Sequence, residues 1–392
     1  MLDFEESDEQ KLLREAISGT VSKFDDVYWR SCDHRAEFPQ EYFDALAKNG
    51  WFNLNVPKEY GGAGLGLTEV AIAIHEASRR CGMAAGDIIM AICTFGIQTL
   101  KSFAKESLKT RLLPELGAGK HIYSFALTEP LAGVDTLAIS TRAEKDGDGY
   151  VINGHKIWTT LAHKATLMAV VARTTERGKA SKRTRGLSIF LVECGKLKEG
   201  EMKMSRIDDI SMRALGSNEV HFENLKVPAE NLIGKLDEAW DILPTLLNAE
   251  RISTGSMSIG LGELVLEKAS NYAKARQVFS RPIGANQAIQ FPLARSLADL
   301  RSGWAVTQKA AWQFDNDLDC SVAANVAAYM GARSAFFAAD RAMQTYGGMA
   351  YSPESDVERH WRDARLFRTG PVPEEMVLNL IGQRVLNLPR SY

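Results

Sequence analysis

Glu250 sits in the run Leu247-Asn248-Ala249-Glu250-Arg251. If that run is helical, its neighbours at i−4, i−3, i+3, i+4 and i+7 are Leu246, Leu247, Ser253, Thr254 and Met257, none of them charged. A carboxylate on such a face costs free energy unless it has a partner or a task. Two readings compete, a salt bridge to a distant arginine and a general base. Desolvation raises a carboxyl pKa toward neutrality, where it can take a proton from carbon. Glu374 and Glu375 are rival acids, but they follow Pro373 at the head of the helical stretch Met376 to Leu386. Acidic residues favour a helix N-terminus, and that accounts for them. Pro244, near the start of the Glu250 helix, points to a kink.

Other chemistries find no support. The glycine-rich run Gly61-Gly62-Ala63-Gly64-Leu65-Gly66 does not fit GxGxxG and follows no strand. A Walker A lysine and a GxSxG elbow are both missing, and His75-Glu76 lacks a second histidine at zincin spacing. Five scattered cysteines with no CxxC indicate neither a disulfide framework nor a metal site, so no metal is expected and the compartment is read as reducing. A formal net charge of −2, with no evident block of like charge, argues against nucleic acid or an anionic membrane as partner. Met1 to Gln10 is acidic, unlike a signal peptide. The apolar stretch Ile88 to Leu100 is shorter than a membrane span and is preceded by Asp87. The expectation is a soluble cytoplasmic protein.

The elements that must position Glu250 fall into three blocks. Leu12, Leu13, Ala16, Ile17, Val21 and Phe24 recur at helical spacing, and a further helix starts near Thr68, read as its N-cap. After Gly117-Ala118-Gly119 the pattern turns to short β-rich runs, at Tyr150 to Ile152, Leu167 to Ala172, Leu187 to Val192 and Glu219 to Phe222. Asn153-Gly154 is a type I′ hairpin signal. From Asp237 the sequence is helical again. The boundaries are 1–121 for an N-terminal helical domain, 122–235 for a middle β domain and 236–392 for a C-terminal helical bundle, a mainly α chain with a β domain in its centre. At 392 residues it is long enough for a large core.

Four segments carry a family resemblance: Ala126-Leu127-Thr128-Glu129-Pro130-Leu131-Ala132-Gly133-Val134-Asp135; Asn153-Gly154-His155-Lys156-Ile157-Trp158-Thr159-Thr160; Ala275-Arg276-Gln277-Val278-Phe279 with Ile283-Gly284 and Gln287; and Gln344-Thr345-Tyr346-Gly347-Gly348, followed by Arg362-Asp363-Ala364-Arg365. Their order and spacing resemble the acyl-CoA dehydrogenases, whose first two signatures read LTEPxAGSD and NGxKxWIT. The resemblance implies a helical domain, a β-barrel and a four-helix bundle, FAD as cofactor, an acyl-CoA substrate, an electron-transfer flavoprotein as partner, and a dimer or tetramer. By it, Phe125, Leu127 and Thr128 serve the flavin pyrimidine edge. Trp158 and Thr159 flank the ring and Thr160 bonds near N5. Arg276 holds the pyrophosphate of a neighbouring subunit's FAD, with Phe279, Gln287, Gln344, Gly347 and Gly348 beside it. Seen singly, Trp158 reads as a core residue, Arg276 as a solvated helix face and Gly347-Gly348 as a helix end.

The resemblance also exposes departures. Many family members carry the base in a YEGT-like loop, which here reads Arg368-Thr369-Gly370-Pro371-Val372-Pro373, with Pro371 at the glutamate position. Isovaleryl-CoA and long-chain acyl-CoA dehydrogenases place it instead in a segment resembling that around Glu250, with Arg251 next to it. Pro371 also lacks the N–H that would help bind the thioester carbonyl, a role left to the Val372 N–H. Val134 replaces the serine of AGSD, near the acyl-CoA, and Gly370 and Pro371 leave room for a branched or cyclic acyl group. Three alternatives share the fold: a dehydrogenase of carrier-protein-bound acyl or aminoacyl groups, a flavin oxidase or monooxygenase, and a non-catalytic scaffold.

Overall fold

A computed structural model describes residues 6–390. The first helix, α1 (Asp8–Val21), opens with a capping box, in which Ser7 Oγ accepts from the Gln10 N–H and Gln10 Oε1 from the Ser7 N–H. It is followed by α2 (Asp26–Arg35), α3 (Gln40–Lys48) and α4 (Leu67–Cys81). The start of α4 differs from expectation. Gly66 is its N-cap, and Thr68 lies inside the helix. Asp315, far along the chain, accepts from the N–H groups of Leu67 and Thr68 and from Thr68 Oγ1. A local reading cannot see a cap that comes from another domain.

Next come α5 (Met83–Ile89), a π-helical segment (Met90–Ile97), α6 (Gln98–Phe103) and α7 (Glu106–Gly117). The run Met83–Phe103 is 21 residues, longer than the expected Ile88 to Leu100 and apolar enough to cross a membrane, yet 94% of its apolar window is buried in the protein. The wide π turn frees backbone groups. Asn55 Nδ2 donates to the Cys93 carbonyl at 2.9 Å there.

The β domain contains β1 (Tyr123–Ala126), β2 (Arg142–Asp146), β3 (Gly149–Lys156), β4 (Leu167–Arg173), β5 (Leu187–Glu193), β6 (Met202–Arg206), β7 (Asn218–Pro228) and β8 (Leu232–Ile233). The strand order is β6-β7-β3-β2-β4-β5-β8, with β1 parallel to β4. The sheet wraps around Ile152, Val170, Phe190, Val220 and Leu225. Asn153-Gly154 does not turn a hairpin. It lies within β3 at a register shift against β7, and the β2–β3 turn is made by Gly147-Asp148. A Cβ on Gly154 would sit 2.6 Å from Thr141 Cα, so this glycine serves close strand approach.

The last block is α8 (Ala239–Ala275), a hairpin of β9 (Gln277–Val278) and β10 (Arg281–Pro282), then α9 (Gln287–Asp315), α10 (Ser321–Tyr346), α11 (Val357–Leu366) and α12 (Glu374–Arg384). The 37-residue α8 continues through Pro244 and forms the central column, packed by α4, α9 and α10. A Cβ on Gly331 would lie 3.0 Å from Gly255 Cα, and one on Gly260 would lie 2.3 Å from the His75 carbonyl oxygen. Bare backbone at these points lets α10 and α4 close on α8, which fixes the side chains α8 presents.

Candidate active site

Glu250 projects from this clamped helix and is 7% exposed. Its Oε2 is buried with no hydrogen-bond partner. Burial pushes its pKa up to about 7; Arg251 pulls it down and the negative charge of Asp87 adds to the rise. Arg251 does not bond to it but donates to Asn248 Oδ1 at 3.2 Å. The salt-bridge reading of Glu250 is therefore excluded among the described residues. Glu374 is the opposite case, because Arg368 grips both its oxygens at 3.1 and 2.6 Å and holds it below the usual carboxylate range. Glu375 is exposed at the start of α12. Neither has the surroundings of a base.

A second group of residues gathers where β1 and β3 end. The Ile157 N–H donates to the Thr128 carbonyl at 3.0 Å, and Lys156 Nζ donates to the Leu127 carbonyl at 2.8 Å. These bonds set Leu127 and Thr128 beside Trp158. Ser124 Oγ donates to the Thr160 carbonyl at 2.7 Å, drawing Thr160 to the same place. Trp158 is not a core residue; it is 56% exposed, on backbone held at φ +58°. Thr159 is buried, and its Oγ1 has no partner. Phe125 stacks on Phe95 of the π segment, 5.3 Å between centroids at 16°. Thr94 Oγ1, next to Phe95, lies 2.8 Å from Ser253 Oγ, one turn beyond Glu250. A continuous path thus joins the exposed indole to the buried carboxylate.

The remaining predicted residues lie elsewhere on the chain. Arg276 and Gln287 are exposed around the β9–β10 hairpin, and Phe279 at its tip is 96% exposed. Gln344, Gly347 and Gly348 are exposed at the end of α10, where Gly347 is also the helix cap, at φ +59°. Pro371 and Val372 line a small cleft with Arg251, Thr254 and Phe367, so the loop after α11 reaches the Glu250 helix; Gly370 adjoins it. Val134 is 59% exposed in the loop after β1.

Sequence reading missed three features. The Lys156–Glu129 pair is buried at 2.9 Å, assembled between the end of β3 and the loop after β1. Arg177, Lys179, Lys182, Arg183 and Arg185 make a basic run between β4 and β5, where no charge block was expected, and Arg177 and Arg183 reach Asp135 at 3.5 and 4.0 Å. Strand pairing also brings His155, Glu219 and His221 ligand atoms within 4.8 Å of one another. The two imidazoles are stacked 3.9 Å apart at 18°, which leaves their nitrogen lone pairs in near-parallel planes rather than convergent on an ion.

A buried, unpaired carboxyl linked through Ser253, Thr94, Phe95 and Phe125 to an exposed aromatic shelf, on a helix–β–helix chain, is the set of parts a flavin-dependent dehydrogenase needs. The acyl-CoA dehydrogenase N-terminal, middle and C-terminal domain models match residues 7–120, 124–225 and 238–386. The chain is 32% identical to the acyl-CoA dehydrogenase FadE12 of Mycobacterium tuberculosis over 99% of both chains. Among solved structures it is similar to butyryl-CoA dehydrogenase from Megasphaera elsdenii (27% identity, TM-score 0.93, 98% of this chain and 100% of that one). It is also similar to the prolyl acyl carrier protein oxidase AnaB (25% identity, TM-score 0.90, 97% and 100%). The chain belongs to the acyl-CoA dehydrogenase family and is an FAD-dependent oxidoreductase acting on CH–CH groups. The residues present fit the flavin. Trp158 offers an open ring face, the buried Thr159 hydroxyl has no partner, and Leu127 and Thr128 are held beside them.

Proposed function

We propose that the chain converts an acyl-CoA thioester to the 2-enoyl-CoA and passes the electrons to an electron-transfer flavoprotein. The observation that carries this reading is Glu250, a buried carboxylate with a partnerless oxygen and a pKa raised to about 7. A base of that strength is deprotonated often enough near neutral pH to remove a proton from Cα. Glu250 takes that proton, and the Cβ–H bond breaks with its electron pair as hydride; bound FAD supplies the hydride acceptor. Trp158 and the Leu127–Thr128 edge hold the flavin, and the Val372 N–H holds the thioester oxygen in place of the N–H that Pro371 lacks. The nearly naked Phe279 and its neighbour Arg276 meet a second copy of the chain, which they help to load with FAD.

Likeness to a prolyl carrier-protein oxidase supports a second reading, in which the acyl group hangs from a carrier protein. Both readings use one thioester and one base. Anaerobic mixing of purified holoenzyme with acyl-CoA thioesters should bleach the flavin, while Glu250→Gln keeps its flavin and stays yellow. Bleaching only when the same acyl group is on a carrier protein selects the second reading. Unchanged bleaching by Glu250→Gln removes the base from Glu250.

A further inference from the structure

Seven aspartates and glutamates among the described residues are buried: Asp33, Glu76, Asp87, Glu129, Glu250, Asp356 and Asp363. Five have partners. Arg362 reaches Asp33, Arg14 and Arg80 bond Glu76, Lys156 bonds Glu129, Arg30 bonds Asp356, and the Met212 N–H donates to Asp363. Only Glu250 and Asp87 accept no hydrogen bond and meet no cation within ion-pair distance. Glu250 is the proposed base, and Asp87 is 6% exposed with no such employment. A desolvated carboxyl without donor or cation is costly, and burial pushes Asp87 up to about 7.

The surroundings of Asp87 show where it points. On the Met83–Phe103 run, Met83, Ala85, Ile88 and Ile89 are 0–1% exposed. Ala84, Asp87, Met90 and Ala91 keep 6–8%, and Phe95 is half-buried. These five share one helical stripe, the face of this run that keeps some accessibility. One end of the stripe is the flavin shelf, through Phe95 on Phe125. Its middle passes α8, which packs against both α5 and the π segment, and Asp87 is near enough for its charge to act on Glu250. A substrate with its thioester at Glu250 would lay its acyl tail along Met90 and Ala91, toward Asp87.

We infer that the acyl group this enzyme accepts carries a basic nitrogen, and that Asp87 is the residue that binds it as an ammonium. The inference rests on the thioester-dehydrogenase reading and narrows its substrate class. An ammonium supplies the donor and the charge that Asp87 lacks, as a charge-assisted hydrogen bond at a mostly buried carboxyl. It also offsets the negative field of Asp87 at Glu250, which keeps the base ionised when the right tail is bound. A purely hydrocarbon tail would leave Asp87 buried and unpaired.

The test pairs thioesters of equal shape: ω-aminopentanoyl-CoA against hexanoyl-CoA, and prolyl-CoA against cyclopentanecarbonyl-CoA. Each is mixed anaerobically with wild-type holoenzyme, Asp87→Asn and Asp87→Leu, with FAD content checked, and flavin reduction is followed. In at least one pair, wild type should reduce faster with the amine. Asp87→Asn should cut that amine-to-hydrocarbon ratio by about 10- to 100-fold, the range for losing one hydrogen bond to a charged group. Asp87→Leu should reverse it. Wild type that reduces equally well or better with both hydrocarbon tails overturns the inference and leaves the dehydrogenase reading standing. An amine preference that survives in Asp87→Asn overturns it as well. If no thioester of either kind, on CoA or on a carrier protein, reduces the wild-type flavin, both readings fall together.

Discussion

Lys156 Nζ lies 2.9 Å from Glu129 Oε1 with both side chains buried, and Glu129 also accepts from the N–H groups of Ser140 and Thr141. Burial alone would raise the Glu129 pKa, but Lys156 and these donors hold it down at about 2. The folded value lies below the ordinary 4.5, so the stabilisation is present above that pH and is lost as pH falls from about 4.5 toward 2. Lys156→Met leaves the carboxylate buried without its cation and should cost about 3–5 kcal/mol. Denaturant unfolding at neutral pH measures that loss. The variant should also retain less FAD, because Lys156 holds the Leu127 carbonyl at the edge proposed to carry the flavin.

Trp158 gives a cleaner probe of the cofactor. Its indole is more than half exposed, so Trp158→Ala removes little from the core and should leave the apoprotein's melting temperature within a degree or two, as about ±0.5 kcal/mol implies for a surface change. Flavin retention on gel filtration should drop by contrast. A large loss of apoprotein stability would mean that the indole packs internally.

The legible part of this chain was what local pattern encodes. Glu250 stood out because every helical neighbour is uncharged, and α8 does present it as an unpaired carboxyl. Thr128 and Trp158 were each assigned to the flavin by resemblance alone, and the bond from the Ile157 N–H to the Thr128 carbonyl brings their two segments side by side. What stayed hidden depends on distant partners. Asp315 caps α4 from the far end of α9, so Thr68 was misassigned as the cap. Asp87 drew notice only as the residue before an apolar run. Asp87 itself lies in α5, before the π segment, and what stayed hidden is that no donor or cation from elsewhere in the fold reaches it, which spacing along the chain does not encode. Asn153-Gly154 has turn chemistry but is spent on a bulge inside β3.

Phe279 tests the assembly. A phenyl ring 96% exposed, on backbone at φ +52°, is expensive to leave in water, and contact with a second copy would bury it. Phe279→Ser should therefore shift sedimentation toward smaller species and lower FAD content together, and Arg276→Ala should do the same. An unchanged sedimentation profile with full flavin in both variants would place the subunit contact elsewhere.

Glu250 has a signature in rate and stability that a structural carboxylate would not share. With its pKa raised to about 7, the proposed base is mostly ionised only above that pH, so flavin reduction by a thioester should fall about tenfold per unit well below it and level off above. Stability should move the other way. The folded pKa lies above the ordinary 4.5, so the unfolded chain loses this proton first, and the folded state is penalised as pH rises from about 4.5 to 7. Glu250→Gln removes that penalty. It should therefore melt slightly higher than wild type at pH 8 while reducing flavin about 10²–10⁴-fold more slowly. Glu374→Gln should behave in reverse, keeping turnover within a few-fold but losing stability, because it gives up the two bonds from Arg368. Melting curves and stopped-flow traces on the two variants separate the roles. A Glu250→Gln protein that is both slower and less stable would mean that the side chain holds structure rather than taking the proton.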